Sequence, residues 1–378
     1  MKGTVFLVGA LSSSLSSAAG SRRNGATGAT NVLYLVADDM RADLGCYGRP
    51  ALTPHLDGLA GRGTRFSRAY SQISVCAPSR MSFMTGRRPD TFDVWNFIDV
   101  VPSNTTSIPS FFRSQGYLTL GAGKLWHQNM GAWNAANCWS PEGLPYVPYG
   151  NGECPNGGEG GGHCVKPEAS IEDYDTWTNA SAYLSTAASI YRSKGQPFLL
   201  MVGFRKPHAP FETTQDAFDR YDNVTIEAAR WNNWTSNNRT GSPLCAWSNE
   251  LAVKMENGTA FGFGPYYPVP AYAAVDQRRA YWASLSYVDD LVGRLVAQLE
   301  NENLTDSTLV VFHADHGYLL GEHGYWEKKS VNTSLLAPNP SVLAPNPSEP
   351  YDLIYLLRAG CSFSLRQAPP PSVGPARR

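Results

Sequence analysis

The chain has 378 residues, 42% of them hydrophobic and 17% charged, with a formal net charge of -1. That length accommodates two domains or one large α/β domain, and the near-neutral balance excludes the basic surface by which nucleic acid is held. No segment approaches the ~20 apolar residues that span a bilayer, so no membrane span is expected, and charge on a substrate must be met by local groups.

Residues 1–23 read as a signal peptide and short linker: Lys2, the apolar run Val5 to Leu11, then Ser-rich sequence and Ala18-Ala19-Gly20, the layout of a secretory leader. Asn-x-Ser/Thr sequons at Asn104, Asn179, Asn223, Asn233, Asn238, Asn257, Asn303 and Asn332 fit the same route. The expected location is the secretory pathway, lysosomal or extracellular.

Val32 to Val36 is a continuous apolar run, the pattern of a strand buried on both faces, and it ends at Asp38-Asp39. Cys76-Ala77-Pro78-Ser79-Arg80 follows, running on to Thr85-Gly86-Arg87 and joining a nucleophile to a proline, a hydroxyl and two cations. A bare Cys-x-Pro would read as a half-buried thiol before a helix, since free Cys is often buried and Pro suits a first turn. The intact run through Thr85-Gly86-Arg87 goes beyond that pattern.

The stretches 129–170 and 231–270, rich in Gly, Pro, Asn and Trp, read as long surface loops. Within the first, Cys154 and Cys164 flank a Gly-rich segment that closes easily, and these two are paired; partners for the other cysteines do not follow from the sequence. Ser181 to Lys194 reads as a helix, Pro197 to Gly203 as a second buried strand ahead of Lys206-Pro207-His208, and Asp276 to Leu299 as the longest helix. In the last, Tyr281, Leu285, Val288, Val292, Leu295 and Leu299 form one apolar stripe. Ser307 to Phe312 is a third strand, ahead of Asp315-His316. Strands alternating with amphipathic helices predict a layered α/β domain over 24–330 with a largely parallel sheet flanked by helices, and polar residues just past strand ends are where such sheets build sites. Beyond Ser330 a Leu-Ala-Pro-Asn-Pro-Ser unit repeats, and 331–378 reads as a disordered Pro-rich tail.

Adjacent carboxylates at a strand end repel each other unless solvent or a cation intervenes. With Asp315-His316 after another strand, Asp38-Asp39 makes an oxygen-rich set suited to a hard divalent cation.

Taken together these blocks resemble the sulfatase family from about Asn31 to Ser330: Asn31 to Asp39, Gly45-Cys46-Tyr47-Gly48, Thr53-Pro54-His55-Leu56-Asp57, the Cys76 block, Gly123-Lys124-Leu125-Trp126-His127, Lys206 to Phe211, Asp315-His316-Gly317, Gly321-Glu322-His323-Gly324 and Lys328. The wording Cys-Ala-Pro-Ser-Arg running into Gly86-Arg87-Arg88-Pro89-Asp90, with a metal set ending in His, is nearest the iduronate-2-sulfatase branch. The resemblance implies an alkaline-phosphatase-like fold in which a formylglycine-generating enzyme oxidises Cys76, leaving six cysteines. Asp38, Asp39, Asp315 and His316, with an oxygen of the modified Cys76, would hold Ca2+ or Mg2+. Arg80 and Lys124 would neutralise and orient the aldehyde hydrate, His208 and Lys328 would bind sulfate and assist the leaving oxygen, and His127 would take the proton that lets sulfate leave. His55, His163 and His313 are left to structural roles, and His323 to a place beside the site. The expected substrate is a sulfated carbohydrate, a 2-O-sulfated uronate; the alternative is a catalytically impaired relic that binds sulfated glycans. Sulfatases of this type continue past the Lys328 block, so the C-terminal part is expected to be missing or replaced after Ser330.

Overall fold

The computed structural model describes residues 30–97, 101–102, 104–127, 137–140, 146–150, 154, 162–229, 259–262 and 269–328, the side chains of 260, 262 and His323 excepted, and the backbone of 5–8 and 252–254. The Pro-rich tail expected over 331–378, as well as Cys245 and Cys361, lies outside them. The strands are β1 Val5–Val8, β2 Asn31–Ala37, β3 Thr64–Phe66, β4 Leu118–Gly123, β5 His163–Val165, β6 Phe198–Phe204, β7 Phe211–Thr213, β8 Ala252–Lys254, β9 Ala260–Gly262, β10 Thr308–Ala314, β11 Leu319–Leu320 and β12 Trp326–Glu327.

Six of these form the central sheet in the order β3-β1-β10-β2-β6-β4. β10, β2, β6 and β4 run parallel, whereas β1 and β3 are antiparallel additions at one edge. The parallel core is apolar on both faces. Leu33, Leu35, Leu120, Leu200 and Val202 pack with Leu184, Ala187, Leu285, Val288 and Val292 of the helices Glu172–Lys194 and Ala271–Asn301. Val32, Leu199 and Met201, on the opposite face, meet Ala77, Met81 and Met84 of the helix Cys76–Thr85. Alternation along one strand thus feeds two layers, which is why these runs carry no polar face.

All six residues of the expected stripe, Tyr281 to Leu299, are buried, and their helix begins earlier than expected, just after Pro270. The other long helix starts at Glu172 rather than Ser181. Its first turn holds Glu172, Asp173 and Asp175, carboxylates that favour a helix N-terminus although they hide the apolar period. It stops at Gly195, whose φ of 66° closes the end with an N–H to Tyr191.

β4 is a strand that the apolar pattern did not predict. Two glycines weaken its signal, and at least one is required: a Cβ on Gly121 would lie 2.5 Å from the Trp139 ring. The stretches expected as plain loop contain short ordered pieces, β5 in the first and the β8–β9 hairpin in the second. Cys154 and Cys164 are bridged, with an S–S length of 2.03 Å, while Cys46, Cys76 and Cys138 are free.

The backbone of Val5–Val8, inside the expected leader, pairs with β10 from Val5↔His313 to Val8↔Val310. A molecule that has lost its leader would lack this neighbour of β10. Among the described sequons, Asn104, Asn223 and Asn303 are exposed and Asn179 is half-buried.

Candidate active site

Four neighbouring strands deliver the candidate residues from their carboxyl ends, the edge at which open parallel sheets build sites. β2 leads into Asp38 and Asp39, β10 into Asp315 and His316, β4 into Lys124, and β6 into the turn that carries His208. The ladder continues one step past the strands: Asp38 N–H donates to Phe204 O at 3.1 Å and Asp315 N–H to Ala37 O at 3.2 Å. Both carboxylates are thereby fixed by main chain. Close approach of β4 and β6 requires glycine on both sides. Gly123 has φ +76°, and a Cβ on Gly203 would sit 2.1 Å from Lys124 O.

Cys76 opens its helix, buried, with Sγ 3.4 Å from Asp38 Oδ1 and 3.1 Å from Lys328 Nζ. Asp38, Cys76, Asp315 and His316 offer ligand atoms that all lie within 4.8 Å of one another. Asp39 adjoins this group, its Oδ1 3.1 Å from His316 Nδ1 and 2.7 Å from Lys328 Nζ. Arg80 is wholly buried; its Nε and Nη2 each stand 3.0 Å from Asp315 Oδ2, and Nη1 donates to Lys124 O. Lys124 Nζ pairs with Asp38 Oδ2. Ser79 Oγ donates to Asp315 O at 2.5 Å, tying the Cys76 helix to the end of β10.

Three carboxylates, Asp38, Asp39 and Asp315, therefore face three permanent cations, Arg80, Lys124 and Lys328. Burial alone would raise the Asp38 carboxyl, but Lys124, His208, Lys328 and Arg80 together hold it well below the ordinary range. Burial, with Lys328, Lys124 and Arg205, pushes His208 well below its usual value, and burial with Lys124, Arg80 and Lys328 takes His127 down to about 4. Both imidazoles stay neutral near neutral pH. His127 is half-buried against Phe97, at 4.7 Å between ring centroids, and its buried Nδ1 has no hydrogen-bond partner.

A divalent cation fits this donor set. Three carboxylate groups and one imidazole converge, Asp39 Oδ2 and His316 Nε2 are buried without hydrogen-bond partners, and hard oxygen donors predominate. Charge agrees as well. The three carboxylates offset the three cations, and a dication together with the released sulfate dianion would leave that balance unchanged.

The structure thus brings together Asp38, Asp39, Cys76, Arg80, Lys124, Asp315, His316 and Lys328, with His208 and His127 within electrostatic reach of them. Lys328 reaches the site because β12 folds back on β11. Lys206 proves structural: its ammonium is buried and donates to Pro210 O at 2.8 Å. His313 bonds Tyr34 Oη at 2.8 Å and His163 stacks on Phe218, while His55 is exposed. The expectation for the His323 side chain lies outside the described residues. Sequence reading missed Asp173, whose buried carboxylate accepts from Arg205 N and Lys206 N at 2.7 Å each and so anchors the turn leading to His208. It also missed Tyr149, whose ring centre is 5.1 Å from Lys124 Nζ, and Arg205, whose Cζ is 5.8 Å from the same centre. Asp173 carried the signal of an acidic helix start; Tyr149, in an aperiodic stretch, carried none.

Comparison with known proteins identifies this arrangement, since the family model described as Sulfatase matches residues 30–346, well over half of the chain and past Ser330. The chain belongs to the sulfatase family. Iduronate 2-sulfatase of Homo sapiens is 34% identical over 331 residues, covering 81% of this chain and 58% of that protein. The chain thus spans less than two thirds of that relative's length. Among solved structures, the phosphonate monoester hydrolase from Silicibacter pomeroyi superposes with a TM-score of 0.59 at 21% identity, covering 80% of this chain and 65% of that one. A protein solved with its substrate D-glucosamine-2-N,6-O-disulfate gives 0.58 at 18% identity, covering 79% and 68%. These two likenesses establish the alkaline-phosphatase-like α/β fold of this sulfatase.

Proposed function

We propose that this sulfatase chain is the catalytic part of a sulfuric ester hydrolase that removes sulfate from a sugar, a 2-O-sulfated uronate of a glycosaminoglycan or similar polysaccharide. The observation that carries the reading is the Cys76 sulfur, buried between Asp38 and Lys328 inside a converging set of ligand atoms. Oxidised to formylglycine by a formylglycine-generating enzyme during maturation, Cys76 would supply a hydrated aldehyde as nucleophile toward sulfur. Ca2+ or Mg2+, held by Asp38, Asp39, Asp315 and His316 with an oxygen at Cys76, would polarise the sulfate oxygens.

The other residues act on charge and protons. Arg80 and Lys124, fixed by Asp315 and Asp38, neutralise negative charge beside Cys76 without reorganising. Lys328 offers an ammonium to the sulfate oxygens. His208 has its Nδ1 against Ala209 O, which leaves Nε2 as the atom that exchanges a proton with the leaving oxygen. An arriving sulfate ester brings negative charge, which raises the proton affinity of this imidazole. His127, neutral under the influence of burial, Lys124 and Arg80, accepts a proton from the hydroxyl that remains at position 76.

A secretory route with a lysosomal or extracellular destination is supported by the Cys154–Cys164 bridge and the exposed sequons. The reading is tested by mass spectrometry of the Cys76 peptide, made in a host that carries the modifying enzyme, together with sulfate release from 2-O-sulfated uronate oligosaccharides. An aldehyde at position 76 with release supports it. An intact thiol in a protein that binds but does not cleave these glycans selects the impaired relic instead.

A further inference from the structure

One buried cation beside the catalytic cluster lowers His208 by its charge but is given no contact with substrate above. Arg205 follows β6 directly and is only 6% exposed. Its Nη1 donates to Glu172 Oε2 at 3.0 Å and to Gly150 O at 3.4 Å. Its Nε is buried without a hydrogen-bond partner, and its Nη2 makes no hydrogen bond among the described residues. The unused edge of the guanidinium is therefore the Nε–Nη2 side, the pair of parallel donors that matches the two oxygens of a carboxylate. A buried donor left without an acceptor is costly, so an incoming anion would gain strongly there.

Tyr149 fixes where that anion would come from. Lys124 Nζ lies 5.1 Å from the centre of its ring and Arg205 Cζ 5.8 Å from the same centre. One aromatic ring therefore joins the ammonium that pairs with Asp38 to the Arg205 guanidinium. The segment that carries the ring is held from both ends: Tyr146 Oη donates to Gly123 O at 2.6 Å, Gly123 N to Val147 O at 2.8 Å, and Gly150 O accepts from Arg205 itself. Arg205 is equally fixed. Asp173 takes its N–H, and its own carbonyl accepts the His208 N–H at 2.9 Å.

We propose that Arg205 receives a carboxylate borne by the same sugar whose sulfate ester lies on the Lys124 side, with the Tyr149 ring as the face against which the sugar rests. The proposal rests on the sulfatase reading of this site and deepens it by naming the residue that reads the sugar's second charge. A uronate carries both groups on one ring. A neutral sugar offers no anion to the Arg205 edge, whereas both oxygens of a uronate carboxylate can meet its two parallel donors.

The experiment compares three substrates: a 2-O-sulfated uronate disaccharide, its carboxyl-reduced counterpart and nitrophenyl sulfate. Each is assayed with the parent protein and with Arg205→Gln, Arg205→Lys and Tyr149→Leu, all checked for cooperative melting. In Arg205→Gln, the preference of kcat/KM for the carboxylated over the reduced disaccharide is expected to fall by about tenfold or more, through KM, and Arg205→Lys should recover only part of it. Calorimetric titration of both disaccharides into the Cys76→Ala protein reads the same preference without turnover. An unchanged preference in folded Arg205→Gln, with nitrophenyl sulfate still hydrolysed by the parent, overturns the Arg205 assignment and leaves the sulfatase reading standing. A binding preference lost in the Cys76→Ala/Arg205→Gln double variant, with no sulfate ester cleaved by the parent, does the reverse.

Discussion

Lys328 Nζ stands 3.1 Å from Cys76 Sγ although 252 residues separate the two in the chain. The contact requires the β11–β12 turn, because Lys328 directly follows β12, and it places a cation against the Cys76 side chain. Asp39, at 2.7 Å, holds that cation charged, raising it well above the ordinary lysine value although burial opposes it.

Cys76→Ala is expected to lower sulfate release by at least about 10³-fold, since no other side chain in the cluster can form the covalent adduct. Cys76→Ser should fail equally in a host that modifies only cysteine. Near-parental turnover by Cys76→Ala, measured on any sulfate ester, would remove the nucleophile from this site.

Asp38→Asn and Asp315→Asn should each weaken cation affinity by about tenfold or more, because a charged ligand is what offsets dehydration of the ion. Melting temperature followed during a Ca2+ or Mg2+ titration reads this directly. A parent protein whose melting ignores both chelator and added cation would contradict the metal site.

His127 supplies a pH prediction with a definite sign. Burial, Lys124 and Arg80 lower it to about 4, so the neutral form that accepts a proton persists down to that pH and is lost below it. The acid limb of kcat/KM should therefore have its midpoint near 4 rather than near the unperturbed ~6.5. His127→Gln should cost about 10²-fold or more and abolish that limb. A midpoint close to the unperturbed value would show that His127 is not the base.

Glu322 governs acid stability. Burial opposes its ionisation, but Arg41 at 2.7 Å, Arg278 and the Leu320 N–H lower it to about 2. A depressed carboxyl stabilises the fold above its unfolded value of ~4.3, and that contribution disappears as pH falls from there through about 2. Allowing for partial exposure, it amounts to about 2 kcal/mol at neutral pH. Glu322→Gln should lower stability at pH 7 by that order and match the parent near pH 2, as chemical denaturation at the two pH values would show.

Gly203→Ala tests the strand closure that sets the site. Its Cβ would meet Lys124 O at 2.1 Å and Lys124 C at 2.2 Å, both main-chain atoms that cannot swing aside. A loss of about 3 kcal/mol is expected, with Lys124 displaced. Unchanged melting and activity would mean that β4 and β6 approach less closely than described.

Much of this site is legible in the linear order of residues, because a buried parallel strand needs an unbroken apolar run and the polar residues after it are forced to the carboxyl edge. Val32–Val36 before Asp38-Asp39 and Leu309–Phe312 before Asp315-His316 announce themselves in this way. The Cys76 run, the long helix stripe and the Cys154–Cys164 loop are likewise local. β4 was not legible, since its glycines are selected by a neighbour's ring and a neighbour's carbonyl rather than by any period along the chain. Nor were Tyr149 and Arg205 legible as partners: each is ordinary in its own segment, and only the register of β4 against β6 brings them to one ring beside Lys124. Sequence alone determined which chemical groups stand at the ends of strands, through burial and local geometry. Tertiary structure decided which groups meet, because hydrogen-bond register and close backbone approach depend on atoms far away in the chain.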